Sequence, residues 1–414
     1  MALTKDLYLT MVHEAENAPQ FKNSRRQAWE AVGERLFDLA WNEKEAKLDV
    51  HKYGISFTAM LEATINKELR TPISLFGMSN KQFTDLLQEN RQVYEAVVSG
   101  AFPTITTTIM QKTVIEAFRY HTAEYDALVS VHPWTGGSAT KVSIPGLEAF
   151  DGMKRRPEGT PYYGTDTAET YVDVYMYDFG REVELTFEAV KTDQTGMLVE
   201  RAQRIGEKGA LHRNKMLVQS IEMVAARTTM DETATRAGVF NGTALTQAQF
   251  YSNDHSSQAG LDGQTNDNKI SNNLTLDYDG LKEGWKLLSK MKDHRGDEIQ
   301  PMPNAILCHT DYYIDAWEKI NTRIGAPDTA ENSANFFYNK YNVIGTPFLS
   351  DANSWYLGEF KPQVVQIEFD PFQVSDIVSQ DDLFHKKIIR CWKAAHHFGI
   401  ANRDYRYVVR SAGP

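Results

Sequence analysis

The residue types that most often carry catalysis occur together at His309-Thr310-Asp311, where an imidazole and a carboxylate stand two positions apart. A histidine oriented by a carboxylate can act as a general base, as it does in many hydrolases. The segment follows the apolar run Ala305 to Cys308, where a predicted strand passes into a predicted helix. Thr310 or Asp311 as the N-cap of that helix is the simpler interpretation. An enzyme, namely a hydrolase that uses His309 and Asp311, is kept as one alternative prediction of the function.

Three other polar segments lack the spacing that their chemistry would require. His396 and His397 are neighbours on a predicted strand, so their side chains point to opposite faces and do not share a metal ion. GGSATK, from Gly136 to Lys141, lacks the residue order of a phosphate-binding loop and predicts a turn. The loop from Asp262 to Asn268 is rich in oxygen ligands but lacks calcium-loop spacing, which leaves a weak ion site as an open alternative. We predict no catalytic residue, cofactor or metal site.

The two cysteines and the apolar content indicate where the protein is found. Cys308 and Cys391 lie in apolar, strand-like segments, which favours buried free thiols in a reducing compartment, although spacing alone leaves a disulfide open. No run of about 18 apolar residues is present, and the first residues lack the apolar core of a secretory signal. A soluble protein with no membrane partner is therefore predicted.

The formal net charge of −11 bears on the kind of partner. A dedicated nucleic-acid binder gains its affinity from a basic face, so this charge argues against that class. A mildly acidic surface suits a protein that encloses a polyanion without adhering to it. The length of 414 residues allows two or three domains.

The first hundred residues predict a helical subdomain. Apolar residues at helical spacing form one stripe, comprising Trp29, Val32, Leu36, Phe37 and Ala40. Ser79 and Gln82 have the spacing of a capping box, which opens a helix that ends at Gly100. AFPTITTTIMQKTVIEAF then places Pro103 and a β-branched run before the next helix.

A long helix is predicted from about Thr195 to Arg227. Gly206 and Gly209 lie inside it, and each costs roughly 1 kcal/mol relative to alanine in a helix interior. Close approach by another backbone is the favoured explanation, and a bend is the alternative.

The second half of the chain predicts an α/β unit followed by strands. The polar segment from Tyr251 to Thr275 predicts an exposed loop. Two helices are predicted around a buried strand at Ala305 to Cys308, and their inward residues are expected to be Leu281, Trp285, Leu288 and Met291 in the first and Ile314, Trp317 and Ile320 in the second. The segments WYLGEF, PQVVQIEF, KKIIRCWKAAHHF and YRYVVR alternate as strands of an antiparallel sheet.

A polar ribbon from Gly152 to Thr186 has little of its own to fold around. Its first half contains the cationic cluster Lys154-Arg155-Arg156 with several glycines and prolines, which cannot form a core. Its second half alternates as a strand with Tyr171 and Tyr175 on one face. An ordered ribbon of this composition needs a partner surface, so the cationic cluster is either a solvated loop tip or an intersubunit contact.

Taken in their order along the chain, these parts resemble the major capsid proteins of tailed bacteriophages with the Hong Kong ninety-seven fold. The resemblance covers about residues 101–414, and its most specific piece is Asp279 to Trp317. There a helix, a D-x-x-G-D-E-I turn, a proline and a buried strand leading into a helix follow the order found in the family. These motifs are architectural, so their sequence along the chain carries the resemblance.

The resemblance implies an α+β fold, the phage major capsid fold. Its parts would be an N-terminal helical extension (1–100), an N-arm and entry helix (101–135), an extended β-hairpin loop (136–180), a peripheral domain with a long spine helix (181–250), an axial α/β domain (251–353) and C-terminal antiparallel strands completing the peripheral domain (354–414). Residues 1–100 are either a scaffold-like region removed by a protease or a retained arm.

The resemblance also implies a function and a set of partners. The chain would be a structural subunit without an enzymatic site, which self-assembles into pentamers and hexamers of an icosahedral phage head enclosing double-stranded DNA without sequence specificity. It would assemble in the host bacterial cytoplasm and reside in the virion capsid. Scaffolding, portal and decoration proteins are further candidate partners, and an encapsulin-like cellular compartment is the alternative shell.

The extended loop would lie across a neighbouring subunit. The residues expected at that interface are Lys154, Arg155, Arg156, Tyr162, Tyr163, Tyr171 and Tyr175. Some family members cross-link a lysine of this loop to an asparagine of a neighbour, and Lys141 and Lys154 lie in the corresponding segment. Because no motif identifies a partner asparagine, we predict no cross-link.

Overall fold

The structure is a computed structural model of the 414-residue chain. It describes residues 5–21, 24–44, 47–48, 57–70, 73–75, 78–98, 100–136, 140–146, 158, 171–186, 197–223, 226–228, 231–235, 239–240, 243–255, 266–293, 296–323, 335–376 and 388–413. Its α-helices are α1 Lys5–Asn17, α2 Arg25–Ala40, α3 Phe57–Leu69, α4 Asn80–Glu89, α5 Arg91–Val98, α6 Ala101–Thr122, α7 Met197–Ile221, α8 Gln247–Phe250, α9 Tyr278–Ser289, α10 Thr310–Asn321 and α11 Phe360–Gln363.

The strands are numbered in the same way along the chain. They are β1 Trp41–Asn42, β2 Lys47–Leu48, β3 Ser130–Pro133, β4 Lys141–Pro145, β5 Tyr171–Tyr175, β6 Tyr177–Thr186, β7 Ala226–Thr228, β8 Asp231–Thr235, β9 Val239–Phe240, β10 Thr243–Ala244, β11 Ala305–His309, β12 Asn342–Thr346, β13 Trp355–Gly358, β14 Val364–Asp376, β15 Ile388–Asn402 and β16 Val408–Ser411. Both helices and strands are prominent, so the predicted α+β class is confirmed.

The chain divides into two compact units. Unit 1 comprises Met1–Thr122, Asp178–Leu211 and Phe372–His396, and unit 2 comprises Ala123–Tyr177, His212–Pro371 and His397–Pro414. Among the described helices, none has the combination of length and apolarity that crossing a membrane would require.

Unit 1 is built around the packing of α2 against α6. The stripe predicted for α2 is confirmed, because Val32, Leu36 and Phe37 are all buried. Gly33 permits close contact, since a Cβ atom there would lie 2.8 Å from the Cβ of Thr108 in α6. The core of the unit draws on α1 to α6 and on the first turns of α7.

The segment predicted as a β-branched arm before a helix is helical from Ala101 onward, so the expected entering arm was wrong there. Pro103 lies in the first turn, where its missing N–H leaves no hydrogen bond unmade. The threonine hydroxyls donate to carbonyl oxygens one turn back, at 2.7 Å from Thr106 to Phe102 and 2.8 Å from Thr113 to Ile109. These bonds satisfy the hydroxyls inside a buried helix and allow β-branched residues to remain helical.

The helix predicted from Ser79 to Gly100 is divided into α4 and α5. Its capping box is confirmed, with the Gln82 side chain 2.8 Å from the Ser79 backbone nitrogen. Asn90 lies between the helices with an extended backbone, and its side-chain amide donates to the carbonyl of Leu86 at 3.3 Å. An asparagine side chain competes for helix carbonyls in this way, which explains the break.

Gly206 and Gly209 lie at close approaches within unit 1. A Cβ atom at Gly206 would collide with the carbonyl oxygen of Val114 in α6 and would lie 3.0 Å from the Cβ of Ala117. At Gly209 it would lie 3.1 Å from the ring of Phe372. The missing side chains therefore let α7 approach its neighbours closely.

The end predicted for the long helix, Arg227, is too late, because α7 ends at Ile221. Met223 adopts a left-handed backbone conformation with φ of 57°, which terminates a helix. Glu222 before it is fully buried, and its two carboxylate oxygens each accept a hydrogen bond from the backbone N–H of Ser350 at 3.0 Å. Burial raises the pKa of Glu222, and the Ser350 hydrogen bonds and the charge of Arg410 offset this only in part.

The centre of unit 2 is a four-stranded sheet in the order β12-β11-β13-β16. β11 pairs in parallel with β12 and antiparallel with β13, and β16 pairs antiparallel with β13. The four residues of β11 from Ala305 to Cys308 are buried, as predicted. α10 packs on β11 and β12, and α9 packs on β13 and β16.

The prediction of one antiparallel sheet at the C-terminal end was wrong. All four segments contain strands, but β13 and β16 join β11 in a mixed sheet, whereas β14 pairs in parallel with β3 through Val365–Glu368. Alternation along a strand gives its two faces but does not identify its neighbour, so strand partners could not be read from the pattern.

The segment predicted as an exposed loop, Tyr251 to Thr275, contains buried side chains among exposed ones in both of its described parts. His255 is fully buried, and its ring nitrogens lie 2.5 Å from the carbonyl oxygen of Asn266 and 3.1 Å from that of Phe250. The ring also stacks on Tyr405 at 4.0 Å between centroids. The prediction failed because polar side chains here are buried in order to satisfy backbone groups.

Candidate intersubunit surface

The base of the predicted extended loop is an antiparallel pair of strands, β4 and β5. The pairing places Lys141 opposite Tyr175 and Ile144 opposite Val172, and the chain between Pro145 and Tyr171 leaves and returns at one end. β5 also pairs with β9 through Val172 and Asp173, so this base is anchored in a sheet of unit 2. Lys154, Arg155, Arg156, Tyr162 and Tyr163, which were predicted at the interface, lie outside the described residues.

A buried carboxylate fastens this base. Asp173 lies on β5, and its two carboxylate oxygens accept hydrogen bonds from Lys141 Nζ at 2.8 Å and Ser143 Oγ at 2.5 Å. Burial alone would raise the pKa of Asp173, but the hydrogen bonds from Lys141 and Ser143 outweigh it, so the pKa lies below its usual value. The hydrogen bond to Asp173 raises the pKa of Lys141 in turn. Lys141 therefore has a partner within its own chain.

The two predicted tyrosines of β5 differ in exposure. Tyr171 is 42% exposed at the end of the strand that faces the loop, and Tyr175 is half-buried. Val172 and Val174 between them are buried, as the alternation predicted. Sequence reasoning missed Asp173, whose signal was a charged residue inside an otherwise apolar strand.

Several large apolar side chains of unit 2 are exposed, and three of them were predicted to point inward. Ile314 and Trp317 on α10 are 67% and 52% exposed, and Trp285 on α9 is 40% exposed. Ile320 of α10 is buried, as predicted, together with Ala316, and Tyr313 lies against Gly345 of β12. Apolar residues lie on two adjoining faces of α10, so the sequence pattern was compatible with the burial of either face.

We refer to five exposed apolar side chains of unit 2 together as the apolar surface: Trp285, Met302, Ile314, Trp317 and Phe336, with exposures from 40% to 78%. The ring of Phe336 meets Trp285 edge to face at 5.9 Å, and the ammonium of Lys340 lies 3.1 Å from the centre of the Phe336 ring. Ile314 and Trp317 share one face of α10 because they are three residues apart. Contiguous exposed apolar side chains, such as these two pairs, are typical of contact surfaces.

The candidate catalytic residues have structural partners. His309 is the N-cap of α10, in place of the predicted Thr310 or Asp311, and its Nδ1 lies 3.4 Å from the backbone nitrogen of Asp311 and 3.2 Å from its carboxylate. Asp311 itself is exposed, and no hydroxyl or thiol nucleophile joins the two within the described residues. The arrangement therefore serves the start of a helix.

The other histidines and the two cysteines considered above also have packing contacts. His396 contacts the rings of Phe118 and Phe372 edge to face, while His397 packs near Phe369. Cys308 and Cys391 are free and buried, as predicted, and burial raises the pKa of the Cys308 thiol to about 12.

Metal ligands do not come together in the part of the chain that the structure describes, where no three His, Cys, Asp or Glu side chains form a group that could hold an ion. Asp262, in the loop considered for a weak ion site, lies outside that part. Asn268 of the same loop is buried, and its side chain donates to the carbonyl oxygens of Phe250 and Tyr405 at 2.9 and 3.0 Å.

Several solved structures align with most of this chain at low sequence identity. The structure titled Microbacterium phage Oxtober96 is 8% identical, with a TM-score of 0.40, and the alignment covers 70% of this chain and 91% of that one. The capsid of a native GTA particle is 12% identical, with a TM-score of 0.43 and coverage of 70% and 89%. A virus-like particle from Pyrococcus furiosus is 8% identical, with a TM-score of 0.40 and coverage of 72% and 98%.

The family assignment rests on the amino-acid sequence. A comparison with curated proteins gives no match. The model of a family described as phage capsid protein matches residues 169–411, which is more than half of the chain. The chain therefore belongs to the phage capsid protein family and is a structural subunit of a capsid.

Proposed function

We propose that this subunit self-assembles into the pentamers and hexamers of an icosahedral head that encloses double-stranded DNA. The single observation that carries the proposal is the family match over residues 169–411, which makes the chain a shell subunit. Shells of this kind gain stability from many modest contacts repeated by symmetry. Assembly is then the activity of the chain, and it takes place in the host bacterial cytoplasm before the subunit becomes part of the virion.

The apolar surface is proposed as one contact between copies. Ile314 and Trp317 project from the outer face of α10, and Trp285 and Phe336 meet beside Lys340. Exposing such side chains to water is unfavourable by roughly 25 cal/mol for each Å² of apolar surface, and burial against a second subunit removes that cost. A second copy of the chain is the occupant because the family builds its shells from many copies of one subunit.

The loop between β4 and β5 is proposed as the other contact. The Asp173 carboxylate joins Lys141 and Ser143 across the two strands, which holds the loop at a fixed point of departure. Lys154, Arg155, Arg156, Tyr162 and Tyr163 would contact a neighbour beyond this base, together with Tyr171 and Tyr175. Residues 1–100 would be either a retained arm or a scaffold-like region, as predicted.

The net charge of the chain bears on how the assembled shell would hold DNA. A chain with a formal charge of −11 has little general attraction for phosphate, so DNA would be enclosed without sequence recognition. Scaffolding, portal and decoration proteins are proposed as further partners. We propose that the chain has no enzymatic activity, since His309 and Asp311 are used to start α10.

An encapsulin-like compartment is less favoured than a phage shell, because the matching family is that of phage capsid proteins. The two differ in what they load, DNA in one case and a cargo protein in the other. Purification of assembled particles from cells that also supply the packaging components, followed by nuclease protection, distinguishes them. Protected DNA supports the phage head, and a packaged protein without DNA supports the compartment.

Deletion of Asp151 to Thr165 tests the proposed loop contact. The expected result is folded subunits that do not form shells, because the base formed by β4 and β5 is retained while the contact is lost. Circular dichroism establishes that the variant is folded, and electron microscopy with sedimentation velocity measures assembly. Normal shells from the deletion variant would contradict the role of the loop.

A separate experiment tests the structural role of the chain. Hydrolytic turnover by the purified protein that His309→Ala abolishes would contradict a purely structural role.

A further inference from the structure

Three cationic side chains form a line along the exposed face of α7. Arg201, Arg204 and Lys208 are all exposed, and they follow one another at intervals of three and four residues. Residues at these intervals lie on one side of a helix, one above the other. We call this line the cationic stripe.

The opposite face of α7 explains why the stripe points to solvent. Ala202 is buried in the core of unit 1, and Gly206 lies against α6. Each residue of an α-helix is rotated by about 100° from the one before it. Gly206 is two residues from both Arg204 and Lys208, so it lies on the opposite side of α7 from the stripe. The packing of the glycine face therefore fixes the outward direction of all three cations.

The cations of the stripe form no ion pair within the described part of the chain, although the exposed Glu200 lies four residues before Arg204 on the same side of α7. No carboxylate there forms an ion pair with Arg201, Arg204 or Lys208, although many other lysines and arginines of the chain have such partners. Glu207, the nearest acidic side chain in sequence to Lys208, accepts a hydrogen bond from Gln203 at 3.2 Å. An ordered line of unpaired cations is unexpected in a chain with a net charge of −11.

We propose that the cationic stripe binds the phosphate backbone of double-stranded DNA. This inference rests on the proposed function, in which the shell encloses DNA, and it names the surface that the DNA would touch. Seven residues of helix span about 10 Å, which matches about three phosphate intervals along one strand. Arginine also presents a planar group of donors that fits phosphate oxygens.

The expected binding is weak and independent of sequence. Three phosphate contacts release about three counterions, and the stripe has no amide or aromatic side chains placed to read bases. In a shell, weak contacts are repeated on every subunit, so DNA is held near the protein while each contact remains reversible. The acidic remainder of the chain limits adhesion elsewhere.

The test compares two sets of charge removals in the full-length chain, kept unassembled at low concentration. The first variant combines Arg201→Gln, Arg204→Gln and Lys208→Gln. The matched control combines Lys67→Gln, Lys282→Gln and Lys361→Gln, which removes the same charge from exposed positions on three separate helices, α3, α9 and α11. Fluorescence anisotropy of a labelled duplex of about 30 base pairs is followed across about 50 to 200 mM NaCl.

The stripe variant should bind the duplex about 10- to 100-fold more weakly than the unmodified chain in low salt, and the slope of log K against log salt should fall by about three. The control variant should bind like the unmodified chain. A third variant, with Arg201→Lys, Arg204→Lys and Lys208→Arg, should keep both the affinity and the slope, which separates charge from folding.

Five results would overturn the proposal. Equal weakening in the stripe and control variants would make the effect one of net charge alone, and unchanged binding in both would show that the stripe does not contact DNA. Poly-glutamate of matched charge that competes as well as duplex DNA would assign the stripe to an acidic protein. A folded stripe variant that fails to form shells would assign it to a contact between copies. If the unmodified chain forms shells but does not bind DNA, this inference is wrong and the proposed assembly still holds. If the unmodified chain forms no shells, the proposed function is wrong.

Discussion

At the scale of single residues, Gly206 shows how one missing side chain positions a long helix. A Cβ atom there would collide with the carbonyl oxygen of Val114. Alanine in place of glycine gains up to about 1 kcal/mol of helix propensity, but overpacking of a core costs about 1–3 kcal/mol. The overpacking term should dominate, because a backbone carbonyl in the middle of α6 cannot rotate away.

Gly206→Ala should therefore lower the free energy of unfolding by about 1–2 kcal/mol. Chemical denaturation measures the change. Gly136→Ala is the matched control, because a Cβ atom at Gly136 meets nothing within 4 Å. An unchanged or increased stability of Gly206→Ala would show that the helices are not in close contact at this point.

The buried carboxylate of Asp173 makes the base of the loop dependent on pH. Its pKa is lowered in the folded state, so its contribution to stability is present above the ordinary aspartate value of about 4 and is lost as pH falls through the lowered folded value. Asp173→Asn should therefore speed amide hydrogen exchange in β4 and β5 at neutral pH, and the difference should vanish in strong acid. A difference of equal size at all pH values would contradict the ion pair with Lys141.

Glu222 should behave in the opposite sense. Its pKa is raised in the folded state, so ionisation costs stability at neutral pH, and this cost disappears as pH falls from the raised folded value toward the ordinary glutamate value of about 4.3. Glutamine keeps acceptors for Ser350 without the charge. The melting temperature of Glu222→Gln relative to the unmodified chain should be highest near pH 7 and should fall toward zero near pH 4. A pH-independent difference would contradict this account of the burial of Glu222.

At the scale of elements, the sequence predicted several of the longer helices and strands, together with the buried strand β11, because each depends on local periodicity or capping. The Ser79 capping box and the stripe of α2 are such cases. Local patterns did not predict which face of α10 is buried, because Ile314 and Trp317 form a second apolar stripe beside Ala316 and Ile320. Strand partners also escaped prediction, because they depend on contacts between residues far apart in sequence.

The candidate site was predictable only in part for the same reason. Tyr171 and Tyr175 fell on a predicted strand that is confirmed, whereas the Asp173 contact with Lys141 depends on the pairing of β4 with β5. Trp285, Ile314 and Trp317 of the apolar surface were predicted as core, since an exposed apolar residue on a helix has the same sequence pattern as a buried one.

The outer face of α10 gives a prediction about assembly. Ile314→Ser combined with Trp317→Ser removes apolar side chains that are mostly exposed in the single chain, so folding stability should change little. Tryptophan is prominent among the residues whose truncation costs an interface about 2 kcal/mol or more, so the protein concentration needed for assembly should rise at least about tenfold. Light scattering across a concentration series measures this concentration, with Asp315→Ser, which is exposed on another side of the same helix, as control. Assembly at the original concentration would exclude this face from the contact.

At the scale of the whole molecule, the family match and the surface features indicate one role. A chain of net charge −11 with a large apolar surface in unit 2 and a loop that leaves from a fastened base has the features of a subunit whose function is to contact other copies. The candidate catalytic residues are used to cap a helix or to pack against aromatic rings. Assembly, rather than turnover, is therefore the property to measure.

The most direct test of this account is negative-stain electron microscopy, with sedimentation velocity on the same sample, of the full-length chain expressed alone and together with the scaffolding protein of its source. The account predicts closed shells, rings of five or six subunits or curved sheets in at least one of the two samples. Particles no larger than a monomer or dimer in both samples would contradict the central claim that this chain is a self-assembling shell subunit.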